Sequence, residues 1–184
     1  VECRQAVKLM PDSPLALTNL GLLLSDKKQF DEARAELVLA TQKDAKFAPA
    51  WTGLGRVELK RKQVASAAIA LAKAAKLEPK DRGVAADYCR ALVELDMRAK
   101  AAEDECRHAV VLDGQNALAH YELVKILVAR GDCTGAKAEA AKLGTLDAAK
   151  GKAQAQAEEI LKTCVAGKAA KPAAEGKGGK SARK

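Results

Sequence analysis

Aromatic residues are nearly missing from this chain: one Trp, two Phe and two Tyr among 184 residues, 3% of the whole. A core cannot be built on large rings, so it must come from Ala, Leu and Val packed at short distance, which favours helices that approach closely. The β-branched and aromatic residues that suit strands are scarce, while the strong helix formers Ala, Leu, Lys, Glu and Arg dominate. An all-α chain is the expectation. No run of eighteen apolar residues occurs, so no transmembrane helix is encoded. The five cysteines include no C-x-x-C pair, and only His108 and His120 could join them, which argues against a zinc site. Gly-rich phosphate loops, a Ser, His and Asp set, and clustered His with carboxylates are all lacking. The reading is of a non-enzyme with no cofactor and no metal.

What is present is charge and repetition. The formal net charge is +8, but Lys168, Lys171, Lys177, Lys180, Arg183 and Lys184 against Glu175 place +5 of it in residues 165–184. That Lys/Ala/Gly segment has no apolar period and is expected to be disordered. Nucleic-acid affinity, if the chain had any, would be confined to this tail, which offers no aromatic ring for a base to stack on. The chain opens at Val1 with neither a Met nor an apolar leader, so any signal segment is expected to lie outside it.

From Leu17 the chain reads Leu17-x-x-Leu20-Gly21-x-x-Leu24, then Ala33, Leu37 and Ala40; from Trp51 it reads Trp51-x-x-Leu54-Gly55, then Ala67, Leu71, Ala74 and Pro79. The offset is 34 residues throughout. Weaker copies follow with Ala85, Tyr88, Cys89, Leu92, Ala102, Cys106 and Ala109, and then with His120, Leu123, Val124, Leu127, Gly131, Ala136 and Ala140. The third carries one extra residue near Asp96 to Ala99. Cys3, Ala6, Leu9 and Pro11 match the end of a second helix, so the chain is expected to begin inside a repeat of a longer array.

The pattern resembles the tetratricopeptide repeat, W-x₂-L-G-x₂-Y, A-x₃-F, P, of period 34, in its bacterial form. The resemblance implies a right-handed superhelical solenoid of about four helix hairpins, whose neighbour interfaces sum to its stability. The expected boundaries are 1–13 for the end of a preceding helix, 14–47, 48–81, 82–115 and 116–146 for the repeats, and 147–164 for a capping helix with Leu146, Ala149, Ala153, Ala157, Ile160, Leu161 and Cys164 on its apolar face. Small residues such as Gly21, Gly55, Ala33 and Ala67 let paired helices approach, and Pro11, Pro49 and Pro79 fall at junctions, where a missing N–H is harmless.

The resemblance also implies a function and a site. In this family the first helices line a concave groove that holds a peptide or protein. Five residues after Leu17, Trp51, Ala85 and His120 come Leu22, Arg56, Arg90 and Lys125; one residue after come Thr18, Thr52, Ala86 and Tyr121. Lys60 lies one turn beyond Arg56. Two readings compete: a basic ladder for an acidic peptide or a C-terminal carboxylate, or a solvated face on which Asp87, Glu94 and Glu122 pair with the cations. The two-carboxylate clamp of chaperone-binding members is incomplete here, since Asn19 is nearby but Thr52 and Ala86 replace its other residues. The expected role is an adaptor within a larger bacterial assembly of the envelope, motility or secretion; the alternative is the recruiting region of a longer protein with an enzymatic domain upstream.

Cys89 and Cys106 lie about equally far from the turn near Met97, which sets them across from one another in an antiparallel hairpin, and Cys89 takes the place of Gly21 and Gly55, so a disulfide is geometrically possible. Cys133 opens the last second helix and Cys164 ends the cap helix running back towards it. Two such bridges favour an oxidising compartment such as a bacterial envelope; the other reading is of small buried thiols in a reducing cytosol. His120, in the place of Leu17 and Trp51, is expected to pack with its polar edge exposed. His108, beside Cys106, is expected inside a hairpin, which is no place for a catalytic thiol and imidazole.

Overall fold

The structure is a computed structural model that describes residues 2–146 and 152–164. Ten helices and no strand are found among them. They are α1 (Glu2–Leu9), α2 (Pro14–Asp26), α3 (Phe30–Lys43), α4 (Ala48–Lys60), α5 (Val64–Leu77), α6 (Arg82–Asp96), α7 (Lys100–Leu112), α8 (Ala117–Arg130), α9 (Cys133–Thr145) and α10 (Lys152–Lys162). The basic segment 165–184 and the start expected for the cap helix, 147–151, lie outside the described residues.

Four of the helices, α2, α6, α8 and α9, begin where a side chain takes over an orphan backbone N–H. Ser13 Oγ accepts from the Ala16 N–H, Asp81 Oδ1 from Val84, Asn116 Oδ1 from Ala119 and Asp132 Oδ1 from Gly135. Pro14 and Pro49 sit in first turns, where the ring costs no hydrogen bond. α2 to α9 pair as α2/α3, α4/α5, α6/α7 and α8/α9, each pair stacking on the next, while α1 packs on α2 and α10 on both α8 and α9.

The closest approaches follow the small residues. A Cβ placed on Gly21 would lie 2.6 Å from Leu37 Cγ, and one on Gly55 would likewise run into Leu71. Leu37 and Leu71 are fully buried, so glycine is what lets a Leu fill the space between two backbones. In the third pair Cys89 and Cys106 take these two places, and in the fourth Val124 and Ala140. Ala33, Ala40, Ala67, Ala74, Ala102 and Ala109 are likewise at zero exposure.

The turns inside the pairs differ in an instructive way. Lys28 at φ 62°, Lys62 at φ 63° and Gly131 at φ 80° occupy one repeat position in the left-handed region; only for Gly is that free of strain. The third turn holds no positive-φ residue, because the extra residue near Asp96 lengthens α6 to 15 residues.

On the outer side, the Trp51 indole N–H donates to the Ala45 carbonyl at 2.9 Å, and Lys73 Nζ sits 4.1 Å from the ring centroid. Between the first two pairs the buried Glu58 accepts from Arg34 at 2.7 Å and from Arg61 at 2.9 Å, while Arg61 also reaches Asp31. A charge buried to this extent is tolerated because it is paired on both oxygens.

Candidate functional site: the inner groove

Along α2, α4 and α6 runs a cleft of about 470 Å³, lined by Leu22, Ser25, Asp26, Gly53, Arg56, Leu59, Lys60, Lys62, Asp87 and Arg90. Leu22 is exposed, and Gly53 leaves room beside it: a Cβ there would press on Leu37 Cδ2 at 2.8 Å and on Leu22 Cδ2 at 3.3 Å. Four cations and two carboxylates face this cleft.

The cations are not alike. Arg56 donates to Asp87 on the next first helix, and Arg90 to Glu94 at 3.0 Å one turn along. Lys60 Nζ instead donates to the neutral Ser25 Oγ at 2.8 Å and lies 5.9 Å from the Phe30 ring centroid; no carboxylate pairs with it among the described residues. Lys60 is therefore not neutralised by a neighbouring carboxylate in the way that the two arginines are.

A second cleft, of about 620 Å³, continues the groove towards α10 and is lined by Arg90, Glu94, Leu118, Tyr121, Glu122, Lys125, Ala153 and Gln156. Lys125 Nζ donates to Glu122 at 2.6 Å and lies 5.7 Å from the Tyr121 ring centroid. Glu122 is buried, and that burial pushes its carboxyl above the ordinary value although Lys125 opposes it. The line of Arg56, Arg90 and Lys125 is thus threaded with the acids Asp87, Glu94 and Glu122.

The residues singled out from the sequence fall into three sets. Leu22, Thr52, Arg56, Lys60, Arg90, Tyr121 and Lys125 come together along the two clefts and a smaller one that adjoins the first at Leu22, Gly53 and Arg56. Thr18 does not: at 2% exposure, with an Oγ1 that finds no hydrogen-bond partner among the described residues, it belongs to the interior. Thr52 turns its hydroxyl to the Ala48 carbonyl at 3.1 Å. The cysteines form the third set. The structure places a disulfide between Cys89 and Cys106, Cα–Cα 4.7 Å, and another between Cys133 and Cys164, Cα–Cα 5.7 Å; Cys3 is free.

Both histidines depart from expectation. The polar edge of His120 is not exposed: at 2% exposure its Nδ1 lies 2.7 Å from Glu139 Oε2 and its Nε2 3.2 Å from the Gly114 carbonyl. Oxygens from α9 and from the loop between α7 and α8 satisfy the ring, so it can be buried as Leu17 is. Burial alone would push Glu139 up, but hydrogen bonds from Lys142 and His120 outweigh it and hold the carboxyl below its ordinary value. His108 is exposed rather than inside its hairpin and meets Glu105 at 3.2 Å, while Cys106 faces inward to Cys89. Ser25, Asp26 and Lys62 were not foreseen as cleft residues. For Lys62 a signal exists, since counting repeats back from Gly131 lands on it.

No metal-binding group of His, Cys, Asp and Glu is found among the described residues, and no described helix is long and apolar enough to cross a membrane.

No family model and no curated protein matches the sequence. Solved structures do match. YrrB, described as a TPR protein with an unusual peptide-binding site, is similar with TM-score 0.72 and 20% identity over 89% of this chain and 91% of that one. MamA from Desulfovibrio magneticus RS-1 is similar with TM-score 0.72 and 19% identity, over 82% of this chain and 84% of that one. The first TPR of Spaghetti (RPAP3), bound to an HSP90 peptide SRMEEVD, is similar with TM-score 0.59 and 20% identity over 62% of this chain and 90% of that one. Paired helices at a period of 34 or 35 residues, small residues where the pairs touch, and these likenesses identify the fold as that of a tetratricopeptide-repeat solenoid.

Proposed function

We propose that this chain is a non-enzymatic adaptor whose inner groove holds an extended, acidic segment of a partner protein, within a larger bacterial assembly. The carrying observation is Lys60, a cation at the centre of the first cleft whose hydrogen-bond partner is neutral Ser25. Leu22 and the bare backbone at Gly53 offer an apolar seat beside it, and Arg56 and Arg90 keep guanidinium donors that a guest carboxylate can engage by exchange with Asp87 and Glu94. Backbone and apolar contacts along the groove would supply affinity, and the cations would choose the guest. The peptide-bound RPAP3 domain supports this class of ligand, since three of the seven residues of its peptide are acidic.

The test uses the full chain and an array of extended heptapeptides graded in Glu and Asp content, read by fluorescence anisotropy. Affinity is expected to rise with acidic content and to fall at least about tenfold in Lys60→Glu, which is 1.4 kcal/mol, with the helical circular-dichroism signal intact. Arg56→Ala combined with Arg90→Ala should weaken the same peptides. Binding that ignores acidic content, or that survives Lys60→Glu, would move the site elsewhere.

A further inference from the structure

The two disulfides sit in different surroundings. Cys89 and Cys106 are at zero exposure between α6 and α7, whereas Cys133 and Cys164 are both partly exposed. The exposed bridge also does a different mechanical task. α10 is the last described helix: it packs on α8 and α9 with no further helix against it among the described residues, and it has 11 residues. A helix this short is marginal in water without tertiary contacts. Its apolar face is modest, with Ala157 fully buried and Ala153 and Leu161 partly buried. Beneath it lie Val124, Leu143 and Leu146, all buried, with Tyr121 and Val128 at the margin. The bridge ties Cys164, two residues past α10, to the first residue of α9. α10 in turn supplies Ala153 and Gln156 as one wall of the second cleft.

We propose that Cys133–Cys164 is a redox latch on the end of the solenoid. Oxidised, it holds α10 over the last hairpin and closes one side of the second cleft; reduced, it lets α10 detach and melt, uncovering Tyr121, Val124 and Leu143, while Cys89–Cys106 stays closed. The reductant is a dithiol. One of its thiolates attacks Cys164 Sγ, the sulfur–sulfur bond breaks, and Cys133 leaves as a thiolate that takes up a proton. The second thiol of the reductant then attacks the mixed disulfide and frees Cys164 as a thiol. Two electrons and two protons have passed to the bridge, and the dithiol departs as its own disulfide. Access decides which bridge reacts, since attack needs a line of approach to sulfur and the Cys89–Cys106 pair offers none without parting α6 from α7. The latch goes beyond the adaptor reading and does not depend on what the groove holds.

The experiment titrates the full chain with dithiothreitol and follows two readouts by mass spectrometry: alkylation of each cysteine, and amide hydrogen exchange along the chain. Cys133 and Cys164 should become alkylated at dithiothreitol concentrations at least tenfold below those that expose Cys89 and Cys106. In the same step the amides of α10 should exchange at least tenfold faster, with α6 and α7 still protected. The double variant Cys133→Ser, Cys164→Ser should show that exchange pattern with no reductant, and the titration of the unaltered chain stands alone if the variant fails to fold. An α10 that keeps its protection after both thiols are alkylated would overturn the latch, as would reduction of the two bridges together.

Discussion

The first two hairpins and the last two bring their helices together by different chemistry. In the first pair Gly21 opens a gap that Leu37 fills, and Gly55 with Leu71 repeats it in the second. In the third the same two positions carry Cys89 and Cys106, joined covalently, and in the fourth Val124 with Ala140, followed by a tether to α10. One half is thus held without a crosslink, by shape and apolar burial with the ion pair of Glu58 and Arg34 between its hairpins. The other has traded the glycine gap for side chains on both helices and has gained two crosslinks. A position in a repeat therefore prescribes a volume to be filled rather than a residue type, and either a large side chain facing none or two small ones sharing the space will do.

The contrast can be broken most sharply at Leu71. Leu71→Ala should cost about 2–5 kcal/mol, the usual range for emptying a fully buried Leu site, and in denaturant melts the loss should be the same with and without reductant. A smaller effect is expected from giving the third hairpin the solution of the second: Cys89→Gly with Cys106→Leu should fold, lose about 3 kcal/mol, the contribution of closing a loop of this size, and leave that hairpin indifferent to dithiothreitol. If the exchanged pair melts cooperatively near the reduced parent, the two packings are equivalent; if it does not fold, the second half needs its crosslink. The smallest change lies in the turns. Lys62→Gly should raise stability by about 1 kcal/mol, because the left-handed backbone there strains any side chain bearing a Cβ. The same substitution should weaken binding of acidic peptides if that strain is kept for the sake of a cation at the cleft rim.

Much of the architecture was legible in the spacing. Gly21, Leu37, Gly55 and Leu71 recur because each places atoms where two backbones meet, and that constraint is local to a hairpin. Contacts between hairpins are another matter. Arg56 with Asp87 and Lys60 with Ser25 join residues 31 and 35 apart, and which of them meet depends on how far one hairpin is rotated on the next, a quantity that a period of 34 does not contain. This is why Thr18 read as a groove residue and proves to be interior, and why the ladder of cations emerges with its acids interleaved. His120 misled for a related reason: its position is an interior one, and it is Glu139 on the neighbouring helix, with the Gly114 carbonyl, that lets an imidazole occupy it.

The chain's one tryptophan sits at the seam of the first two hairpins, its indole tied to Ala45 and capped by Lys73. Its emission therefore witnesses only the uncrosslinked half, while circular dichroism sums over every helix. Melting curves recorded both ways will superimpose only if loss of order at one end drags the other with it, so this single ring measures how far along a stack of near-independent units cooperativity extends.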